Sequence, residues 1–436
     1  MTCRECRTAE ADVGMLYYLT GAAGTGGRIK VAPEDFIVSE VSNRPEEDKN
    51  GRFTIATVKA RNWETNRMVR LLSREMGISR ERIGFAGTKD KRAVTTQLMS
   101  VLGGPELLER IDLKDLEISD VYRARHGLRI GDLIGNNFEI RVTGCTMPDA
   151  DIPGTVESVA SEIKKTGGFP NYYGVQRFGI VRPITHLVGE KLVRGDIEGA
   201  VKCYVCAPAV NASKDDSAVA MREKLKATDD WAPLVDEIPE AMSFEKTMVQ
   251  HVVQHPGDWT GAIAEMPTNL QMMFVHAYQS YLFNIMLSRR IEAGLPLNRP
   301  VEGDIVVPLD SDGIPLHEQT VKATAKNIDL VERQVKLKKA FVTGCLFGSK
   351  SEFADGQMGE IERKVVEEQK LEPRDFEIPG LPHCSSEGGR RELLCPVKDL
   401  SWDVSGNTYT VKFFLPKGNY ATCLMREFMK SEITDY

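Results

Sequence analysis

Two segments far apart in the chain alternate apolar and polar residues with the period of a half-buried strand. Residues 137–143 read NFEIRVT, with Phe138, Ile140 and Val142 on one side, and 408–415 read TYTVKFFL, with Tyr409, Val411 and Phe413 on one side. Ser405, Gly406 and Asn407 supply turn chemistry before the second segment, and Trp402 ahead of that turn suits the first strand of a hairpin. A third alternating stretch, IKVAPEDFIVSE at 29–40, predicts a strand, a turn at Pro33, Glu34 and Asp35, and a second strand. A different period governs the next stretch: Met68, Leu71, Leu72 and Met76 recur at helical spacing, with Thr65 as N-cap and Gly77 as stop signal.

The middle of the chain is patterned for helices. Residues 213–240 and 351–377 are charged and helix-prone, and 268–290 carry the dense apolar run MFVHAYQSYLFNIML. With sheet-rich segments on both sides, this predicts a two-domain α/β protein whose middle is an inserted, more helical domain. Gly167 and Gly168 make one hinge and the polar stretch 385–391 the other, giving parts at 1–166, 167–392 and 393–436. No internal repeat is present.

Composition narrows the function classes. A chain of 436 residues, 42% hydrophobic, has room for two or three domains with cores of their own. Its apolar runs, such as 203–210 with a proline inside, fall far short of the ~18 residues that suggest a membrane span. Arg4, Glu5, Arg7, Glu10 and Asp12 stand where a secretion signal needs an apolar core, so a cytoplasmic protein is expected. Nine scattered cysteines, an odd number, fit reduced thiols. Cys3/Cys6 and Cys203/Cys206 are too far apart, and too poor in flanking glycine, to predict a zinc site. The formal charge of −7 argues against a general nucleic-acid coat. Locally the balance reverses, since residues 59–92 hold ten Lys/Arg against four acids. That excess is an electrostatic footprint for phosphate. On spacing alone, Arg67, Arg70 and Arg74 fit a merely solvated helix face better than a phosphate-facing one.

Common catalytic motifs are missing. The glycine-rich GAAGTGGR at 21–28 lacks the lysine and Ser/Thr of a phosphate loop and reads as a turn. His251 and His255 have the spacing of a helical metal pair, but Val252 stands where HExxH has its glutamate and no third ligand is evident. Neither GxSxG nor GxGxxG appears in a supporting context. What remains is a set of segments mixing glycine, aromatics and polar groups: PEDF (33–36), GFAGTKDKRAVTTQ (84–97), GDLIGNNF (131–138), NYYGVQRFG (171–179) and LPKGNYAT (415–422). Within them Asp90 is flanked by Lys89, Lys91 and Arg92, and neighbouring cations favour a charged carboxylate, as a nucleophile or general base requires. A surface turn with casual ion pairs is the competing account.

In this order, these segments resemble the TruD family of tRNA pseudouridine synthases, from Lys30 almost to the C-terminus. The resemblance implies an α+β fold, with a mixed, mainly antiparallel catalytic sheet domain carrying a large inserted α/β domain specific to the family. It implies an isomerase acting on tRNA at uridine 13, in the cytoplasm, with no metal, no cofactor and no obligate protein partner. It assigns catalysis to Asp90 in GTKDK and places Phe36, Asn136, Phe138 and Tyr420 around the target nucleotide. Lys30 is similar to the basic residue that pairs with the aspartate. Phenylalanine also occurs in the family where this chain has Tyr420. The long insertion resembles the archaeal and eukaryotic branch. The competing function is a non-catalytic RNA-binding or chaperone protein using the same basic segment.

The implied reaction explains the residue types. Converting uridine to pseudouridine breaks the bond from base nitrogen to sugar, turns the base, and rejoins it through carbon, with no atoms gained or lost. A carboxylate can attack the base or the sugar carbon, or assist departure of the base. The base must be flipped out and held while detached, which calls for aromatic faces and an amide that reads the uracil edge.

Overall fold

A computed structural model describes residues 3–6, 8–109, 111–208, 216–310 and 313–436. Arg7, Val210 and the start of the 213–240 stretch lie outside the described residues. The chain divides into two compact units. One comprises Ala22–Phe169, Cys395–Ser431 and Asp435–Tyr436; the other comprises the described residues of Met1–Gly21, Pro170–Leu394 and Glu432–Thr434. Among the described residues, no helix is long and apolar enough to cross a membrane.

The first unit is built on a mixed sheet. Its strands are β1 (Phe36–Ser42), β2 (Phe53–Arg61), β3 (Ile83–Phe85), β4 (Val94–Leu102), β5 (Leu116–Ala124), β6 (Leu133–Val142), β7 (Lys398–Ser405) and β8 (Thr408–Pro416). The spatial order is β7-β8-β6-β1-β4-β2-β5, with β3 added beside β4. Every pairing is antiparallel except β1 with β4. The two alternating segments of the sequence pair with each other, Phe138 opposite Phe413 and Val142 opposite Tyr409. The β7–β8 hairpin turns through Gly406 at φ +58°, a left-handed conformation that glycine adopts without a Cβ clash.

Because side chains alternate across a strand, the register assigns one face of the sheet to Phe36, Val38 and Glu40 of β1. Asn136, Phe138 and Ile140 of β6 share that face, as do Val411, Phe413 and Leu415 of β8. Two helices cover its flanks. Helix α1 (Thr65–Met76) lays Met68, Val69, Leu72 and Met76 on Ala56, Val58 and Ala60 of β2; small residues there admit the helix closely, and each large apolar side chain buried contributes about 1.5–3 kcal/mol. After α2 (Ile152–Thr166), α3 (Ala421–Met429) brings Phe428 to 6.4 Å from the Tyr409 ring on the other flank.

Two local expectations are corrected. The stretch before Pro33 forms no strand: Arg28 makes an isolated bridge to Thr143, Lys30 is left-handed at φ +57°, and Pro33–Asp35 is a short 3-10 turn leading into β1. Asp35 stabilises that turn by accepting the Ala32 N–H at 2.7 Å, an interaction that alternation cannot reveal. The α1 cap is Glu64 rather than Thr65, with the Glu64 carboxylate accepting the Asn66 and Arg67 N–H groups at 2.8 Å. Gly77 does end the helix, at φ +65°.

The second unit is richer in helix. The dense apolar run becomes the helix Thr268–Glu292, and the charged stretches contain the helices Asp216–Lys226 and Gly356–Glu368. A four-stranded sheet accompanies them. The N-terminal segment belongs here: Asn284 donates to the Val13 carbonyl and Ser288 to that of Gly14. Its short, irregular pattern gave the sequence no period by which to place it, and grouping by chain order set it with the sheet. His251 is occupied locally, its ring 2.9 Å from Asp258 and 3.3 Å from Glu265.

His186, on the helix Thr185–Val193, gives this unit a pH signature. It is buried between Phe178 and Tyr281, with ring centroids 5.2 and 5.0 Å away, and burial pushes its pKa down from 6.5 to about 4. The unfolded chain then binds a proton between these values that the folded one refuses, so stability rises with pH through that window. Acidification from pH 6.5 to 4 is expected to remove up to about 3 kcal/mol. His186→Phe should flatten that part of the profile, as read by urea unfolding at each pH.

Candidate active site

The six residues singled out by the sequence all lie in the sheet unit. Lys30 and Asp90 meet, with Nζ 3.6 Å from Oδ2. The lysine side chain is 13% exposed and the aspartate 49%, so the carboxylate meets solvent while its partner is largely enclosed. The lysine backbone is held by its neighbours: Arg28 donates its N–H to the Thr143 carbonyl and Ile29 to that of Asp435, each at 2.9 Å. These bonds carry Lys30 in a left-handed conformation that costs a non-glycine residue roughly 1–2 kcal/mol. That cost keeps the ammonium 4.3 Å above the Phe36 ring centroid.

From Phe36 the aromatic contacts continue across the sheet. Phe138 stands edge-on to Phe36 at 6.1 Å and stacks on Phe413 at 5.3 Å. Phe36 and Phe413 are buried, whereas Phe138 is half-buried and presents ring surface. Asn136 lies two residues before Phe138 on the same face; its Oδ1 is buried and has no hydrogen-bond partner among the described residues. Buried amide oxygens left unpaired are costly, and such groups call for an explanation. Tyr420 is half-buried at the start of α3, beyond the end of β8 where Leu415 pairs with Asn136. Lys30, Phe36, Asp90 and Phe138 are thus linked by contacts, Asn136 by register, and Tyr420 by its place at that end of the sheet.

An aspartate carboxylate beside a lysine, with an aromatic face and an unsatisfied amide close by, suits the binding of a planar base. Sequence relationships bear on which base. The family model for tRNA pseudouridine synthase D (TruD) matches residues 12–428. The chain belongs to the TruD family. A chain from Methanococcoides burtonii named "Probable tRNA pseudouridine synthase D" is 40% identical over 430 residues, covering 97% of both proteins. One of the same name from Pyrococcus furiosus is 39% identical, covering 96% of this chain and 99% of its own. A TruD crystal structure from Methanosarcina mazei superimposes with a TM-score of 0.86 at 39% identity, over 98% of each chain.

Within this TruD-family chain the cations around Asp90 are arranged differently from the sequence reading. Lys89 is withdrawn from the cationic surface: its ammonium is bonded to Glu40, with side chains 4% and 1% exposed. Arg61 is paired with Glu34, and Arg82 donates to the Leu102 carbonyl. Arg67, Arg70, Arg74, Arg80, Lys91 and Arg92 are exposed. The basic footprint is therefore narrower than the count of charges, centred on one face of α1 and on the residues just after Asp90.

Glu40 and Gln97 escaped the sequence reading. Gln97, on the β4 position opposite Val58, is 2% exposed, and neither of its amide atoms has a partner among the described residues. The signal was available: both interrupt an apolar face at an alternating position, Phe36, Val38, Glu40 in one strand and Thr95, Gln97, Met99 in the other. Polar residues at core positions are where local rules break for function.

Proposed function

We propose that this chain isomerises a uridine of tRNA to pseudouridine, at position 13, with Asp90 as nucleophile and a flipped-out base. The observation that carries the reading is the Lys30–Asp90 pair set against Phe36, Phe138 and Asn136 on one sheet face. The sheet unit is then the catalytic domain, split by the helical unit as an insertion, and the protein works in the cytoplasm.

The chemistry follows from these groups. The base leaves the RNA stack and its plane rests on the open Phe138 ring, with Tyr420 closing from the α3 side. The Asn136 amide oxygen accepts the uracil N3–H, which supplies the unpaired atom with its partner. The Asp90 carboxylate attacks the base or the sugar carbon, or assists departure of the base, and the glycosidic C–N bond breaks. The detached base turns, and C5 bonds to C1′ and then loses its proton. Nothing enters or leaves the sum of atoms. Lys30 holds the negative charge of Asp90 in place while RNA excludes water.

An unmodified tRNA transcript incubated with the protein in chelator, then treated with carbodiimide and copied by primer extension, tests the reading. A stop at uridine 13, lost with Asp90→Asn, is the expected result. Tight binding indifferent to Asp90 with no stop on any tRNA supports a non-catalytic RNA-binding protein instead. The exposed arginines of α1 make a second, independent prediction. Binding should weaken steeply with salt, and Arg70→Ala/Arg74→Ala should flatten the slope of log K against log salt by about 2, without changing which RNA is preferred. An unchanged slope removes α1 from the RNA surface.

A further inference from the structure

The loop that carries Asp90 runs between the short strand β3 and β4, and one residue of it is anchored at both ends. The Lys89 N–H donates to Thr65 Oγ1 at 2.8 Å, and Thr65 is buried in the first turn of α1. The Lys89 side chain reaches the opposite way, to Glu40 in the central strand β1, and a longer contact of 3.5 Å runs from its ammonium to the Gly87 carbonyl. Glu40 is itself fixed, its Oε1 accepting from Ser42 Oγ at 2.7 Å and from the Leu98 N–H at 3.5 Å. One residue thus ties the loop to a helix through its backbone and to the sheet through its side chain. The next residue is Asp90, half exposed and meeting Lys30.

Stability is a poor reason for this pair. Two charges withdrawn from water lose hydration that their attraction barely restores, and apolar residues of equal volume are often as stable. What a buried pair adds is direction: an ammonium and a carboxylate inside a protein fix a distance and an angle that a methionine pair leaves loose. Glu40 also occupies Lys89, so that one of the two lysines adjacent to Asp90 in sequence does not compete with Lys30 for its carboxylate.

We infer that Lys89, through its buried ion pair with Glu40, is a positioning residue that locks the Gly87–Arg92 loop and sets the reach of Asp90 toward the target nucleotide. The inference rests on the proposed function for its kinetic consequence but not for its structural one. Displacing a reacting group by about 1 Å costs on the order of 10²-fold in rate, so the lock acts on turnover and leaves RNA affinity alone.

The test uses the full chain with Glu40→Met/Lys89→Met, which replaces the pair by apolar residues of similar length. Thermal unfolding within a few degrees of the parent, KM for tRNA within threefold, and kcat lowered about 10²-fold at every pH support the inference. Rescue of most of that loss in Lys89→Arg, which keeps the charge, supports it further. Hydrogen exchange of the loop amides is read in parallel, since faster exchange at residues 88–90 in the double variant reports the lock without any reaction. A double variant with parental kcat and parental loop exchange overturns it. If the double variant does not fold, Glu40→Asp serves: it keeps both charges and draws the carboxylate back by one methylene. About tenfold lower kcat with parental unfolding then supports the lock, and parental kcat overturns it. Should the parent itself modify no tRNA, the proposed function fails, and the loop exchange alone decides the inference.

Discussion

Asp90→Asn is expected to reduce pseudouridine formation to background, a loss of at least about 10⁴-fold, with folding and RNA binding unchanged. The amide has the size of the carboxylate but neither its charge nor its nucleophilicity. The Asp90 side chain is 49% exposed and touches Lys30 at 3.6 Å, so its replacement removes one partly solvated ion pair, worth at most about 1 kcal/mol. Single-turnover assays on tRNA, filter binding and thermal unfolding of the same preparation separate the three effects. Measurable turnover in this variant would remove Asp90 from the chemistry and with it the proposed mechanism.

The second large effect is expected at Lys30. Lys30→Met keeps most of the side-chain length over Phe36 but removes the charge that meets Asp90. Fixed charges aimed at reacting groups are worth on the order of 10²–10³ in kcat, and a fall of that size is expected, with KM within a few-fold. Lys30→Gly separates backbone from charge. Glycine adopts φ +57° without penalty, which offsets part of the packing lost with the enclosed side chain, and this variant should be as slow as Lys30→Met. If Lys30→Gly retained turnover, the left-handed backbone and not the ammonium would be the functional element, and the pairing with Asp90 would be incidental.

The parts of this molecule legible in its sequence share a physical basis. Alternation gave β6 and β8 because each buries one face, and helical spacing gave α1 because its apolar stripe meets β2. Asp90, Lys30, Phe36 and Phe138 were named through motifs, and their contacts form one connected group. Patterns of this kind carry no information on local side-chain bonds. Asp35 capping Ala32 replaced a strand by a turn, and Glu64 took the capping role from Thr65. Charge counting failed at Lys89 for the same reason: a lysine in a run of cations reads as surface, and its burial depends on Glu40, distant along the chain and adjacent in the sheet. Glu40 is visible only when an acid at a core-facing strand position is taken as a signal of an unseen partner.

Pairing β6 with β8 has a consequence for how the molecule is made. During synthesis β6 emerges long before β8, so the edge of β6 that receives Val411 and Phe413 stays open until residues 408–416 leave the ribosome. For that interval the nascent chain displays an unpaired strand edge beside the aromatic face of Phe36 and Phe138, the kind of surface that associates with other chains. Pairing strands so distant in sequence is slow, so the sheet unit should complete its fold late. Assembly of the site is thereby tied to the synthesis of β8. A ribosome stalled before β8 should yield a chain that holds Asp90 but has no completed sheet behind it.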